Sequence, residues 1–316
     1  MTIMFATNDG VWELVGGQSH QVGLAGKKIS HVSLCHGTTL AAAPYDGLYT
    51  LTDAGDRLVW QGDARSCAIA PDGTFFVGTE PAMIFRSSDA GQTWQRSDHI
   101  DALPTRKDWY FPPPPHQPHV RSIDFLPGMS ASVLVGIEVG GVLLSTDGGD
   151  SWEELNQGLY VDVHTVRPDP MQPGRLVAVT GRGFYASDDG GASWEHRMQG
   201  MRHRYTVGLH VNPTRAGELL VSAGEGPPGL HAYLYHSRDA GQHWQGVSDA
   251  TLPAKYDRVP VVWFTDDAVW VAMQTGQVFR AEEVAGPWTL VSELPVTIYA
   301  AAAEGSVSSV DSGFRR

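Results

Sequence analysis

The motif Ser-x-Asp-x-Gly-x-x-Trp occurs four times in the chain: SSDAGQTW at 87–94, STDGGDSW at 145–152, SDDGGASW at 187–194 and SRDAGQHW at 237–244. No other feature constrains the fold as strongly. A motif that returns along one chain marks a repeated supersecondary unit, and such units bury their apolar faces by stacking on their neighbours. Apolar runs of about 5–8 residues, bounded by turn residues, precede each copy, as in SVLVGIEVGGVLLSTDGGDSWEEL. One further run ending near a proline or turn comes before each of these, in HVRSIDFLPG, VHTVRPDP, TVGLHVNP and SCAIAPDG. Each unit therefore reads as four strands, A to D, with the motif at the C–D turn.

Two more units persist where the motif decays, ending at Trp60 and around Gly286 and Trp288. The N-terminus supplies only three runs, IMFATND, GVWELV and HQVGLAG, which match B, C and D. The missing A run stands at the other end, PVTIYAAAA at 295–303. The expectation is an all-β, seven-bladed propeller spanning 1–303 as one domain. The N-terminal strands and a C-terminal strand share a sheet and close the ring, and a polar tail follows from 304 to 316. Within the motif, glycine permits positive φ, aspartate accepts backbone N–H groups, and tryptophan wedges between sheets. These roles need no ligand.

The four boxes resemble the Asp-box, or BNR, repeats of sialidases, of related glycoside hydrolases and of photosystem assembly factor-like propellers. The resemblance covers nearly the whole chain and implies the propeller fold. That family hosts enzymes and non-enzymes, so it implies no single activity. Sialidases of the family carry an Arg-Ile-Pro-type motif before the first box. Here Arg258-Val259-Pro260 follows the fourth, and sialidase activity is not expected.

Composition narrows the partners. A net charge of −13 argues against a nucleic-acid backbone. No apolar run reaches the ~20 residues of a membrane helix, and the first residues lack a basic, then apolar, leader. Cys35 and Cys67, each inside an apolar run, read as buried thiols in a reducing compartment, so the expected location is cytoplasmic.

Function is sought at the loops around the central channel. The B–C turns carry Glu80, Glu138, Arg182 and Glu225, while His31, Arg65, His119, Arg121, Asp162, His164, His203, Tyr205 and Arg258 lie at or near the starts of A strands. This pattern predicts one axial pocket for a small anionic or sugar-like ligand. Glu138, His164 and Asp162 are the acid–base candidates. Arg65, Arg121, Arg258, Tyr205, Arg182, Glu225 and Trp109 are the ligand-binding candidates. His119, His164 and Glu138 form a candidate divalent-metal set, with His31 or His203 as a further imidazole. An enzyme of lyase, isomerase or hydrolase type fits such a pocket. The insertion at 99–118, with its RKDWYFPPPPHQPH stretch, would hang over the mouth with Trp109 in an apolar lid. Alternatively, 106–118 docks a protein partner and the propeller is a non-catalytic scaffold.

Overall fold

The computed structural model describes residues 1–52, 54–129 and 131–304, together with the backbone of 309–310. Seven antiparallel sheets form the wheel, each with its A strand innermost. Blade 1 is the composite sheet: Ile298–Ala303 supplies strand A beside Thr2–Thr7, Val11–Val15 and Gln18–Gly23. Ile3 pairs with Ala303 and Phe5 with Ala301, so the two chain ends are joined by a ladder of main-chain bonds. The short strand Ser309–Val310 adds to the same sheet beside Ile298–Ala303. The rest of the expected tail beyond Glu304 lies outside the described residues.

Blade 3 runs Ala64–Ile69, Phe75–Thr79, Ile84–Ser87 and Gln95–Arg96. Blade 4 runs His119–Phe125, Val133–Glu138, Gly141–Ser145 and Glu153–Glu154, and blade 5 Val163–Pro168, Leu176–Thr180, Gly183–Ser187 and Glu195–His196. The inner strands are buried on both faces, and the alternation expected of a half-exposed strand is lost there. Core residues pack between blades as well as within them. One cluster joins Phe76 and Ile84 of blade 3 to Ile123, Val135, Leu143 and Trp152 around blade 4.

Each intact box is a hydrogen-bonded turn. Asp89 Oδ1 accepts the Thr93 N–H at 2.9 Å and the Ser87 hydroxyl at 2.7 Å. Ser87 Oγ in turn accepts the Gly91 N–H at 2.8 Å. Asp147, Asp189 and Asp239 repeat this arrangement. Two consecutive residues in each box have positive φ, as at Gly148 (73°) and Gly149 (98°), which explains the paired glycines of two copies. The tryptophan reaches the preceding blade: Trp94 Nε1 donates to Val59 O at 2.8 Å, Trp194 to Leu155 O at 2.7 Å and Trp244 to Arg197 O at 3.1 Å. The box thus sets the C–D turn and ties neighbouring blades together.

Candidate functional site

Three consecutive inner strands each carry a β-bulge at their start. In blade 3, Ala64 pairs with Thr79 and Ser66 with Gly78, leaving Arg65 as the extra residue. In blade 4 the extra residue is Arg121, between Val120 and Ser122. In blade 5 it is His164, between Val163 and Thr165. A bulged residue has no partner in the ladder and its side chain is re-aimed. The hydroxyl that follows each bulge locks the strand to the next blade. Ser66 Oγ donates to Val120 O at 3.0 Å, Ser122 Oγ accepts the Val166 N–H at 3.2 Å, and Thr165 Oγ1 donates to Val207 O at 3.1 Å.

Two residues before each bulge stand Asp63, His119 and Asp162. With the B–C turn residues Glu80 and Glu138 they form a continuous polar network. Arg65 holds Asp63 through Nε at 2.8 Å and Glu80 through Nη2 at 3.0 Å. His119 lies between Glu80, 3.6 Å from its Nδ1, and Glu138, 3.1 Å from its Nε2. Arg121 Nη1 donates to the same Glu138 oxygen, Oε2, at 2.5 Å. The other oxygen, Oε1, faces His164 Nε2 at 4.0 Å, and Asp162 Oδ1 is 3.7 Å from that nitrogen. An isolated antiparallel bridge between Glu138 and Asp162 sets the two carboxylates side by side. Gly181 leaves room for this arrangement, since a Cβ there would sit 2.2 Å from Asp162 Oδ2.

Carboxylates outnumber guanidiniums four to two in this network: Asp63, Glu80, Glu138 and Asp162 against Arg65 and Arg121. Burial alone would raise the Glu138 carboxyl, but Arg121, His119 and His164 outweigh it and hold the group well below the usual carboxylate range. Asp162 goes the other way. Burial raises it, His164 opposes the rise, and the neighbouring Glu138 charge adds to it. Two adjacent carboxyls with opposite shifts can divide the roles of fixed charge and proton carrier. Asp162 is the solvent-facing member, with 23% of its side chain exposed, whereas the His164 side chain is fully buried.

The structure therefore brings together Arg65, His119, Arg121, Glu138, Asp162 and His164, and packs Tyr205 edge-on against His164 at 4.9 Å. Other candidates lie elsewhere. Trp109 is not a lid: it is buried in the core between blades 3 and 4, with Nε1 donating to Thr105 Oγ1. Phe111 is the strap residue that reaches the network, its ring edge-on to His119 at 5.3 Å. His203 stacks on Tyr233 and contacts the Tyr235 hydroxyl at 2.6 Å. His31 accepts the Cys67 N–H on Nδ1, and burial pushes its pKa down to about 3. Glu225 pairs with His231, and Arg182 lies over Tyr160. Arg258 is exposed on a short strand, Tyr256–Arg258, that pairs with Leu230–Ser237. It lines a cleft of about 510 Å³ with Lys255, Gln274 and Thr297. The metal set is also corrected. Among the described residues, Glu138, Asp162 and His164 form the one group of three or more whose ligand atoms lie within 4.8 Å of one another. His119 lies outside that group and approaches the opposite oxygen of Glu138, Oε2, at 3.1 Å, while Asp162 is bridged to Glu138 from blade 5.

Sequence reading missed the contribution of Asp63 and of Thr206, whose carbonyl contacts His164 Nδ1 at 2.6 Å. A signal for Asp63 existed. DARS at 63–66, HVRS at 119–122 and DVHT at 162–165 are one pattern, a polar residue two before a basic one, followed by Ser or Thr.

No protein-family model and no curated protein matches the chain. Solved structures do. A GH74 xyloglucanase from Xanthomonas campestris is 15% identical with a TM-score of 0.69, the match covering 92% of this chain and 52% of that one. An ancestral GH74 enzyme is 16% identical with a TM-score of 0.66, covering 93% and 40%. The chain thus spans about half or less of those enzymes. YCF48 bound to a D1 peptide is 15% identical with a TM-score of 0.60, covering 99% and 94%. These likenesses show the fold. Among the described residues no helix is long and apolar enough to cross a membrane.

Proposed function

We propose that the chain binds a small, sugar-like molecule at the blade 4–5 side of the channel mouth and carries out proton transfer on it, as an isomerase or lyase. The observation that carries this reading is the convergence of Glu138, from the end of a blade 4 strand, with Asp162 and His164, from the start of blade 5, onto one partly open point. Asp162, at the lip with its affinity for protons raised, is the group that exchanges a proton with the ligand. His164 stands behind it, and Glu138 is the fixed negative charge.

Charge narrows the ligand class. Arg65 and Arg121 are engaged by carboxylates of the chain, and the carboxylates are in excess. A neutral polyol therefore suits this point better than an anion. An anionic ligand finds its cations instead in the cleft of Lys255 and Arg258.

Saturation-transfer NMR with a panel of mono- and oligosaccharides, sugar acids and inorganic phosphate tests the reading. Neutral sugars should give signals that Asp162→Leu abolishes. Binding by phosphate or sugar acids alone, untouched by that substitution, would move the ligand site to the Arg258 cleft.

A second reading, a protein-docking scaffold, draws on the strap. Tyr110 is exposed there and stacks on His116 at 5.0 Å. The propeller of YCF48, of similar fold, has been solved with a D1 peptide bound. A partner captured by the intact chain and lost on Tyr110→Ala, with no sugar bound, would favour it.

A further inference from the structure

We infer that Glu138, Asp162 and His164 form a binding site for one divalent transition-metal ion. The argument starts from the buried imidazole. His164 Nδ1 lies 2.6 Å from Thr206 O. A carbonyl oxygen only accepts, so Nδ1 carries the hydrogen. In the neutral ring, Nε2 is then a bare lone pair. This nitrogen is fully buried and has no hydrogen-bond partner, and neither has Asp162 Oδ1, 3.7 Å away. Glu138 Oε1 lies on its other side at 4.0 Å. A lone pair and two carboxylate oxygens, all acceptors, face one another without a donor between them.

Two occupants relieve such a point: a proton on Nε2, which makes the ring an imidazolium between the carboxylates, or a metal ion in its place. A backbone carbonyl that fixes Nδ1–H and aims Nε2 is the usual outer support of a metal-binding histidine. Glu138 is oriented in the same way, because Arg121 and His119 occupy Oε2 and leave Oε1 turned inward. Metal–ligand bonds of about 2.0–2.1 Å place tetrahedral ligand atoms about 3.4 Å apart. The two carboxylate oxygens stand 3.7 and 4.0 Å from Nε2, and all three ligand atoms lie within 4.8 Å of one another, so side-chain rotations would draw them onto one ion. One imidazole and two carboxylates suit Zn²⁺ or Mn²⁺ better than Ca²⁺ or Mg²⁺, which prefer oxygen alone. Three protein ligands leave positions open toward the exposed edge of Asp162, where a sugar hydroxyl could coordinate. The inference shares its location with the proposed function but does not depend on catalysis.

The test uses untagged, chelator-stripped protein and the metals alone. Calorimetric titration should give one equivalent of Zn²⁺ or Mn²⁺, weakened at least tenfold by Asp162→Asn and unchanged by His203→Asn. Nitrogen-15 NMR of the histidine rings, which needs no variant, should show His164 as the Nδ1–H tautomer, with the Nε2 resonance shifted on metal addition. Wild-type affinity in Asp162→Asn, or a proton on Nε2 that metal does not displace, overturns the site. Metal binding without sugar binding would sink the proposed function alone. Sugar binding in chelator, with no metal taken up, would sink this inference alone.

Discussion

Glu138→Gln and Asp162→Asn remove the same chemical unit, one negative oxygen, from side chains in contact with one another, and they should move stability in opposite directions. Glu138 is buried and accepts from Arg121 and His119 on a single oxygen. Neutralising it leaves the Arg121 guanidinium buried beside an amide. Breaking a buried pair by removing one partner costs about 3–5 kcal/mol. At about 2 °C per kcal/mol for a chain of this size, Tm should fall by about 6–10 °C. Asp162 is opposed by burial and by Glu138, so its charge works against the fold at neutral pH. Asp162→Asn should leave Tm unchanged or raise it. The sign with pH follows. The native Asp162 carboxyl binds its proton at a higher pH than the unfolded one, so the wild type gains stability from this group as pH falls through that window, and the Asn variant does not. Thermal unfolding followed by circular dichroism, in chelator at pH 7.5 and pH 5, measures both effects. Equal losses in the two variants, or a harmless Glu138→Gln, would refute the assignment of Glu138 as fixed charge and Asp162 as proton carrier.

Three further outcomes are expected. Box hydrogen bonds hold Asp147 and Asp189 down to about pKa 2, so their stabilisation is complete above the ordinary carboxylate range and lost as pH falls toward 2; an Asp147→Asn, Asp189→Asn double variant should show a shallower acid titration by tryptophan fluorescence. Trp194→Phe keeps the wedge but leaves Leu155 O without its buried donor, which should cost about 1–3 kcal/mol in urea unfolding. Truncation after Leu294 removes Ile298–Ala303, strand A of the closing blade, and should leave a chain that is digested by protease under conditions where the full chain resists.

The functional region was only partly legible in advance. Arg65, Arg121 and His164 were placed correctly at the starts of inner strands because strand order follows from the repeat. Their bulges were not visible, since a bulge is defined by pairing with the neighbouring strand. Trp109 was misjudged because an aromatic in a proline-rich strap reads the same whether it faces solvent or a core, and here an inter-blade gap took it in. Phe111, two residues on, reached the network instead.

What the sequence determined by itself is the wheel. Hydrogen bonds inside each box span four residues or fewer, strands alternate with turns at short range, and an A run missing at one end and present at the other admits one closure. Tertiary structure alone decided which charged groups meet. Glu138 ends a strand in one blade, Asp162 and His164 share one short stretch at the start of the next, and the distance between those two parts depends on how adjacent sheets pack and twist. A few tenths of an ångström there decide whether two carboxylates and an imidazole repel, share a proton or hold a metal, and no local pattern in a sequence encodes a distance between blades.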